Sequence, residues 1–234
     1  TLTPNTTYDT DMNTVLNCAA AGNTFNYSGA GNQSIIPATY YHLLLSNSGT
    51  KLTSAALDVN GNLTISNSAV VSSGANAIDV EGNIDIQNTA ILGNGTSTGT
   101  INIGGNWSAV NAGSFVEGSR AVTFDGAGAQ TITNAAGTET FGALTLTGGG
   151  TKSSPNIIDI NGNLSIAGTA QFSVSNDISV AGNWAVTSTN GNPFVEGTYT
   201  VALDGTGTQA ISTVLGAGET FNHLSLTGSN TVST

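Results

Sequence analysis

The sequence predicts an all-β fold, a right-handed parallel β-solenoid of about ten coils, on three observations. The first is a phrase that recurs: Tyr27-Ser28-Gly29-Ala30-Gly31-Asn32-Gln33-Ser34-Ile35, then Phe124-Asp125-Gly126-Ala127-Gly128-Ala129-Gln130-Thr131-Ile132, then Leu203-Asp204-Gly205-Thr206-Gly207-Thr208-Gln209-Ala210-Ile211. Such a repeat means that the chain stacks copies of one unit instead of folding around a single core. The second is spacing. Gly61, Gly82, Gly105 and Gly126 lie 21, 23 and 21 residues apart, and Gly162, Gly182, Gly205 and Gly228 lie 20, 23 and 23 apart. These intervals are too short for a βαβ unit of roughly 30 residues, and they suit one turn of two or three short strands. The third is alternation: Leu144-Thr145-Leu146-Thr147 and Leu224-Ser225-Leu226-Thr227 place leucine on one face and hydroxyls on the other. The right hand follows from the preference of parallel crossovers. A pair of antiparallel sandwiches is the rival architecture, because short strands with glycine turns suit it as well.

Taken in order, residues 1–22 lack the repeat. Asp9 or Asp11 could cap a short helix that ends in the Ala-rich run before Gly22, closing the first coil; one more irregular coil is the alternative. Residues 23–234 carry the solenoid. Its strands are written as Gly-Asn followed by alternating apolar residues, as in Asn60-Gly61-Asn62-Leu63-Thr64-Ile65, Glu81-Gly82-Asn83-Ile84-Asp85-Ile86, Gly104-Gly105-Asn106-Trp107, Asn161-Gly162-Asn163-Leu164 and Ala181-Gly182-Asn183-Trp184. Glycine is expected to supply positive-φ corners between strands. A longer period begins near residues 27, 124 and 203, with super-repeats of 97 and 79 residues that differ by about one coil.

Composition narrows the functional classes. The formal net charge is -11, and Lys51, Arg120 and Lys152 are the fixed cations. A nucleic-acid surface needs clustered lysine and arginine, so no nucleic-acid partner is expected. No apolar run is long enough to span a bilayer, so no membrane insertion is expected. Cys18 is the single cysteine, read as a small buried hydrophobe, with an intermolecular bridge or reactive thiol as the alternative. Abundant Gly, Asn, Ser and Thr beside periodic Val, Ile and Leu suit a secreted protein, and an initial Thr instead of Met suits a processed segment.

Gly-Asn-Trp, a Phe-x-x-Gly turn, Val-Thr-Phe-x-Gly-x-x-x-Gln-x-Ile and Phe-x-x-Leu-x-Leu run from Trp107 through Leu146 and return from Trp184 through Leu226. This series resembles repeats of large secreted β-solenoid surface proteins of Gram-negative bacteria. Val59-Asn60-Gly61-Asn62-Leu63 is more loosely similar to coils of filamentous-haemagglutinin-like adhesins. The resemblance implies an extracellular or cell-surface stalk, adhesin or scaffold. It lends no catalytic residue and no cofactor.

Polar residues that are copied with the repeat read as scaffold, whereas a catalytic constellation is needed once. Asp125 returns as Asp204, Glu117 as Glu196, Glu139 as Glu219, Asp58 as Asp159 and Lys51 as Lys152. These are expected to form turns, solubilise the surface or blunt lateral association. Asn62, Asn83, Asn106, Asn163 and Asn183 share one motif position, where stacked coils would align their amides into a ladder. Some of them also spell glycosylation sequons, but the position recurs where no sequon exists. The unrepeated cluster is Asp79, Glu81 and Asp85, expected as a solvated acidic patch, with a Ca²⁺ site or a carboxylate pair for glycoside hydrolysis as lesser readings. His42 and His223 fall at equivalent repeat positions and read as structural. Trp107 and Trp184 are expected to fill wide coils.

The expected function is therefore non-enzymatic: a structural or adhesive module that associates end to end or with neighbouring repeats, since the sequence stops midway through a super-repeat. A glycan-binding module using exposed Tyr40, Tyr41 or a Trp is the alternative, with surface glycans as partners. A polysaccharide-degrading β-helix ranks behind it.

Overall fold

A computed structural model describes residues 18–111, 113–213, 220–227 and 231–233. These residues form parallel strands stacked as a β-solenoid with about ten turns in all, and no helix occurs among them. The chain divides into two compact units, Thr1–Arg120 and Ala121–Thr234.

In the first unit each turn carries three short strands, one on each of three faces. Thr24–Tyr27, His42–Leu45, Leu63–Ile65, Ile84–Ile86 and Trp107–Ala109 stack on the first face. Gln33–Ile35, Thr50–Thr53, Val70–Ser72 and Ile91–Leu92 make the second, and Thr39–Tyr40, Leu57–Val59, Ile78–Val80 and Ile101–Ile103 the third. The register is in phase with the repeat: Leu63 pairs with Ile84 and Ile84 with Trp107, while Ile65 pairs with Ile86 and Ile86 with Ala109. Period-2 alternation therefore builds continuous apolar columns, and Leu63, Ile65, Val80, Ile84, Ile86 and Trp107 are fully buried.

The first described turn is filled by aromatic rings. Phe25 lies 5.2 Å from Tyr27 and 5.6 Å from Tyr40 between ring centroids. The two tyrosine hydroxyls meet at 2.9 Å, Tyr40 donates to the Ile36 carbonyl at 2.7 Å, and the Ile36 N–H donates to the Tyr27 oxygen at 2.8 Å. Buried hydroxyls are thereby satisfied, as their desolvation requires.

The second unit repeats the plan. Ala121–Phe124, Ala143–Leu146, Leu164–Ile166, Trp184–Val186 and Thr208–Thr213 stack on one face. Gln130–Asn134, Thr151–Ser154, Gln171–Val174 and Phe194–Val195 stack on another. Thr138–Phe141, Ile157–Ile160, Ile178–Val180, Thr200–Leu203 and His223–Leu226 form the third. Trp184 sits against Phe194 at 4.8 Å and Phe221 at 5.2 Å, so the indoles fill the coils in both units.

Two expectations need correction or limitation. The capping-helix reading of residues 1–22 falls largely outside the described residues; over 18–22 the chain forms turns, with the Asn23 N–H on the Ala20 carbonyl at 3.0 Å. The Tyr41 N–H donates to the Cys18 carbonyl at 2.8 Å, as the Asn60 N–H does to Tyr40 one turn later, so this stretch already has the bonding of a coil. The glycines of the Gly-Asn motif do not serve as positive-φ corners. Gly61, Gly82, Gly105, Gly162 and Gly182 all lack positive φ; the left-handed positions include Asn47 (φ 70), Asn67 (φ 60) and Asn88 (φ 58), with Gly148 and Gly168 in the second unit.

The motif glycines are there for close approach. A Cβ on Gly82 would lie 2.5 Å from the Gly61 carbonyl oxygen and 2.5 Å from Asn62 Oδ1, while the Gly82 N–H donates to that same carbonyl at 3.0 Å. Gly182 meets Gly162 in the same way. Gly82→Ala is expected to destabilise by about 1–3 kcal/mol through overpacking. Gly31→Ala, where an added Cβ meets nothing within 4 Å and φ is not positive, is expected to be neutral or stabilising by a few tenths of a kcal/mol up to about 1. Denaturant midpoints of the two variants check the contrast.

Candidate functional site

The recurring Gly-x-x-x-Gln phrase is a hydrogen-bonded clasp. The Gly29 N–H donates to Gln33 Oε1 at 2.9 Å, Gly126 to Gln130 at 3.0 Å, and Gly205 to Gln209 at 3.1 Å. All three glutamine side chains are buried, so the loop closes on its own strand and leaves the amide inside. In the third copy Gln209 Nε2 also donates to the Val180 and Gly182 carbonyls at 2.8 and 2.6 Å, joining its coil to the preceding one.

A lysine sits over two of these clasps. Parallel pairing places Lys51 beside Gln33 and Lys152 beside Gln130. Lys51 Nζ donates to the Gly29 carbonyl at 2.6 Å, Gln33 Oε1 at 2.7 Å and the Ser48 carbonyl at 3.0 Å. Lys152 Nζ donates to the Gly126 and Gly128 carbonyls at 2.6 and 3.2 Å. Both side chains are fully buried. Burial lowers both lysine pKa values, and for Lys152 the Asp125 charge opposes that shift. Of the turn-forming, solubilising and association-blunting roles expected for these lysines, burial excludes a solubilising surface charge: their ammonium hydrogens replace lost water by binding loop carbonyls and, for Lys51, the Gln33 amide oxygen. In the third copy Val232 pairs with Gln209 where the lysine would stand.

The asparagine positions form rungs of a specific kind. The Asn83 N–H donates to Asn62 Oδ1 at 2.9 Å and the Asn106 N–H to Asn83 Oδ1 at 2.7 Å. In the second unit the Asn183 N–H donates to Asn163 Oδ1 at 2.8 Å, and the Ala210 N–H to Asn183 Oδ1 at 2.8 Å. The side-chain oxygens of Asn62, Asn83, Asn163 and Asn183 therefore each receive a backbone N–H of the next coil. His42 takes the first rung, its Nδ1 accepting from the Asn62 N–H at 2.9 Å, which puts the imidazole proton on Nε2. His223 is exposed at the start of His223–Leu226.

The acidic cluster does not converge. Val80, Ile84 and Ile86 point inward as expected, which turns Asp79 and Asp85 outward. However, Asp79 lies on Ile78–Val80 of the third face and Asp85 on Ile84–Ile86 of the first, with Glu81 in the bend between. Asp85 accepts a short hydrogen bond from Gln87 Nε2. Among the described residues no group of three or more His, Cys, Asp or Glu is placed to hold a metal ion. The neighbour of Asp79 across the ladder is Asp58, which accepts from Thr39 Oγ1 at 2.7 Å. In the second unit Ser179 Oγ donates to Asp159 at 2.7 Å, and burial, followed by the Asp159 charge, raises the Asp204 carboxyl above its ordinary value.

The aromatic residues proposed as a sugar platform are mostly interior. Tyr40, Trp107 and Trp184 are fully buried, which corrects the expectation that Tyr40 is exposed. Tyr41 is half-buried, edge-on to His42 at 4.6 Å. The Cys18 thiol is half-buried and its pKa is raised, chiefly by burial, which lowers its thiolate fraction. Glu139, expected at the surface, is buried and accepts from Asn134 Nδ2 at 3.0 Å; its repeat copy Glu219 lies outside the described residues.

Sequence reading missed one column. Asn47, Asn67 and Asn88 adopt the left-handed conformation, and their carbonyls hold the next coil: Ser68 N–H on Asn47 at 2.8 Å, Thr89 N–H on Asn67 at 2.9 Å. The signal was present in Asn67-Ser68-Ala69 and Asn88-Thr89-Ala90 immediately after a strand, with Gly168-Thr169-Ala170 as the glycine version. Compared with protein-family models, with curated proteins and with solved structures, the chain matches none.

Lys152→Met leaves the Gly126 and Gly128 carbonyls without their buried donor, so a loss of about 1–3 kcal/mol is expected in denaturant unfolding. The lysines also set a pH dependence. Their folded pKa values lie below the ordinary 10.5, so between the folded and unfolded values the unfolded chain binds more protons. Stability gains a contribution that rises with pH through that window. The wild-type rise relative to a Lys51→Met, Lys152→Met double variant, followed by unfolding at a series of alkaline pH values, checks the sign.

Proposed function

We propose that this chain is a structural or adhesive module of an extracellular surface protein, and that copies of it associate end to end. The observation that carries the reading is where the recurring polar residues point. Gln33, Gln130 and Gln209, Lys51 and Lys152, and the rungs from Asn62 through Asn183 bond one coil to another or close a coil on itself. A chain whose repeated polar chemistry is committed to stacking is a scaffold, and its outer faces are free to vary.

The association is supported by the strand His223–Leu226. Leu224 pairs with Val201 and Leu226 with Leu203, which are fully buried, yet Leu224 and Leu226 are 44% and 55% exposed. Burying these two leucines against a second parallel coil would supply the apolar contact of such an association. An extracellular setting rests on the resemblance of the repeats and on the low charge of the chain. A glycan-binding role would have to use Tyr41 or outward polar faces, since Tyr40, Trp107 and Trp184 lie in the core.

Sedimentation of the purified chain over a range of concentrations tests the association. The weight-average mass is expected to rise with concentration for the wild type and to stay monomeric for Leu224→Glu, Leu226→Glu. A monomer at every concentration in both would contradict it. A glycan array with a polysaccharide panel tests the functional class: turnover that is lost in Asp79→Asn or Asp85→Asn would contradict the scaffold reading.

A further inference from the structure

Arg120 is not copied by the repeat and has no scaffold role like that of the lysines. Its side chain is fully buried and runs back past a whole coil to Ser73, whose hydroxyl accepts a short hydrogen bond from Nη2. Nε and Nη1 are buried and have no hydrogen-bond partner among the described residues. The guanidinium pKa is lowered to about 10 by desolvation, so the group stays charged at neutral pH, and no carboxylate among the described residues contributes to the shift. This occurs in a protein of net charge -11, where carboxylates are far commoner than cations.

The coils that lead up to Arg120 carry small buried hydroxyls. Ser73, Ser97 and Ser114 are all buried. The Thr98 N–H donates to the Gly74 carbonyl at 2.9 Å, which lays Ser97 over the coil of Ser73, and Ser97 Oγ donates to Asn94 Oδ1 at 2.8 Å. A Cβ on Gly118 would lie 2.7 Å from the Ser97 carbonyl oxygen, so the coil carrying Arg120 closes directly on this one. A lone buried cation is strongly unfavourable unless a charge of opposite sign accompanies it.

We propose that the interior beside Arg120 and Ser73 holds a small monovalent anion of the halide class, bound by an unpartnered guanidinium N–H group. The chemistry selects that class. A halide is a single atom that accepts from N–H and O–H donors in any direction, so it needs only one of the unpartnered groups, Nε–H or Nη1–H, which lie on different edges of the guanidinium. A phosphate or sulfate would need several converging donors for each of its oxygens. The serine hydroxyl rotates freely, so it can turn its hydrogen to whatever occupies the site.

Bromide is the probe. Crystals of the wild-type chain grown in sodium bromide are expected to show an anomalous peak within hydrogen-bond distance of Arg120 Nε or Nη1. In parallel, chemical unfolding is measured in sodium bromide against sodium gluconate at equal ionic strength. Above the dissociation constant, each tenfold rise in bromide is expected to raise the folded-to-unfolded ratio about tenfold, and Arg120→Met is expected to lose that dependence. The wild-type diffraction experiment stands whether or not Arg120→Met folds. Water alone at the guanidinium, with identical unfolding in the two salts, overturns the proposal; an adventitious ion only, bound elsewhere with no effect on stability, also overturns it.

Discussion

Coils stacked about 4.8 Å apart leave no room for side chains between backbones at a corner, and the rest of the structure depends on that distance. Along the inner strands the ladder pairs backbone N–H with C=O from coil to coil. At the bends the ladder breaks, and each backbone group there must find another partner or lose several kilocalories per mole of hydration. The chain answers with short side chains and with absences. Glycine lets Gly82 donate straight to the Gly61 carbonyl, and the adjoining Asn62 oxygen takes the N–H of Asn83. Gly-Asn is therefore one device in two residues: the first permits the approach and the second fills the gap in the ladder.

The same constraint explains why buried lysine appears in a protein with so little charge. The loop Gly126-Ala127-Gly128 turns the Gly126 and Gly128 carbonyls onto the buried Lys152 ammonium. An ammonium on a long flexible stem brings three donors to such oxygens, where a hydroxyl has one and an amide two. Gln130 holds the N–H side of the loop and Lys152 the carbonyl side. The pair is one unit of polar satisfaction spread over two coils. Where Val232 replaces the lysine, Gln209 bonds backward to Val180 and Gly182, so that clasp ties to the coil before it.

The solenoid, its coil length and its inward residues were legible in the sequence because period-2 alternation and a fixed repeat depend only on which residues recur. The alignment of Asn62, Asn83 and Asn106 was legible for the same reason, but the partner was not: spacing places the amides in register without showing that the oxygen meets a backbone N–H. The burial of Lys51, Lys152 and Glu139 was illegible because charged residues are nearly always exposed, and only the loop carbonyls and the Asn134 amide justify the exception. Asp79 and Asp85 are close in sequence, yet a corner separates them onto different faces, and a corner is where sequence distance stops measuring spatial distance. Tyr40 failed as a surface residue because its hydroxyl finds Ile36 and Tyr27 inside the coil.

The central claim is that the recurring polar residues hold coil to coil at the bends. Amide hydrogen exchange followed residue by residue measures it most directly. The amides of Asn83, Asn106 and Asn183, and those of Gly126 and Gly205, lie outside the strands but donate to Asn or Gln side-chain oxygens. The account predicts that they exchange as slowly as neighbouring strand amides such as Ile84 and Leu164. Exchange at these positions as fast as that of an exposed loop amide, with the strands still protected, would contradict it.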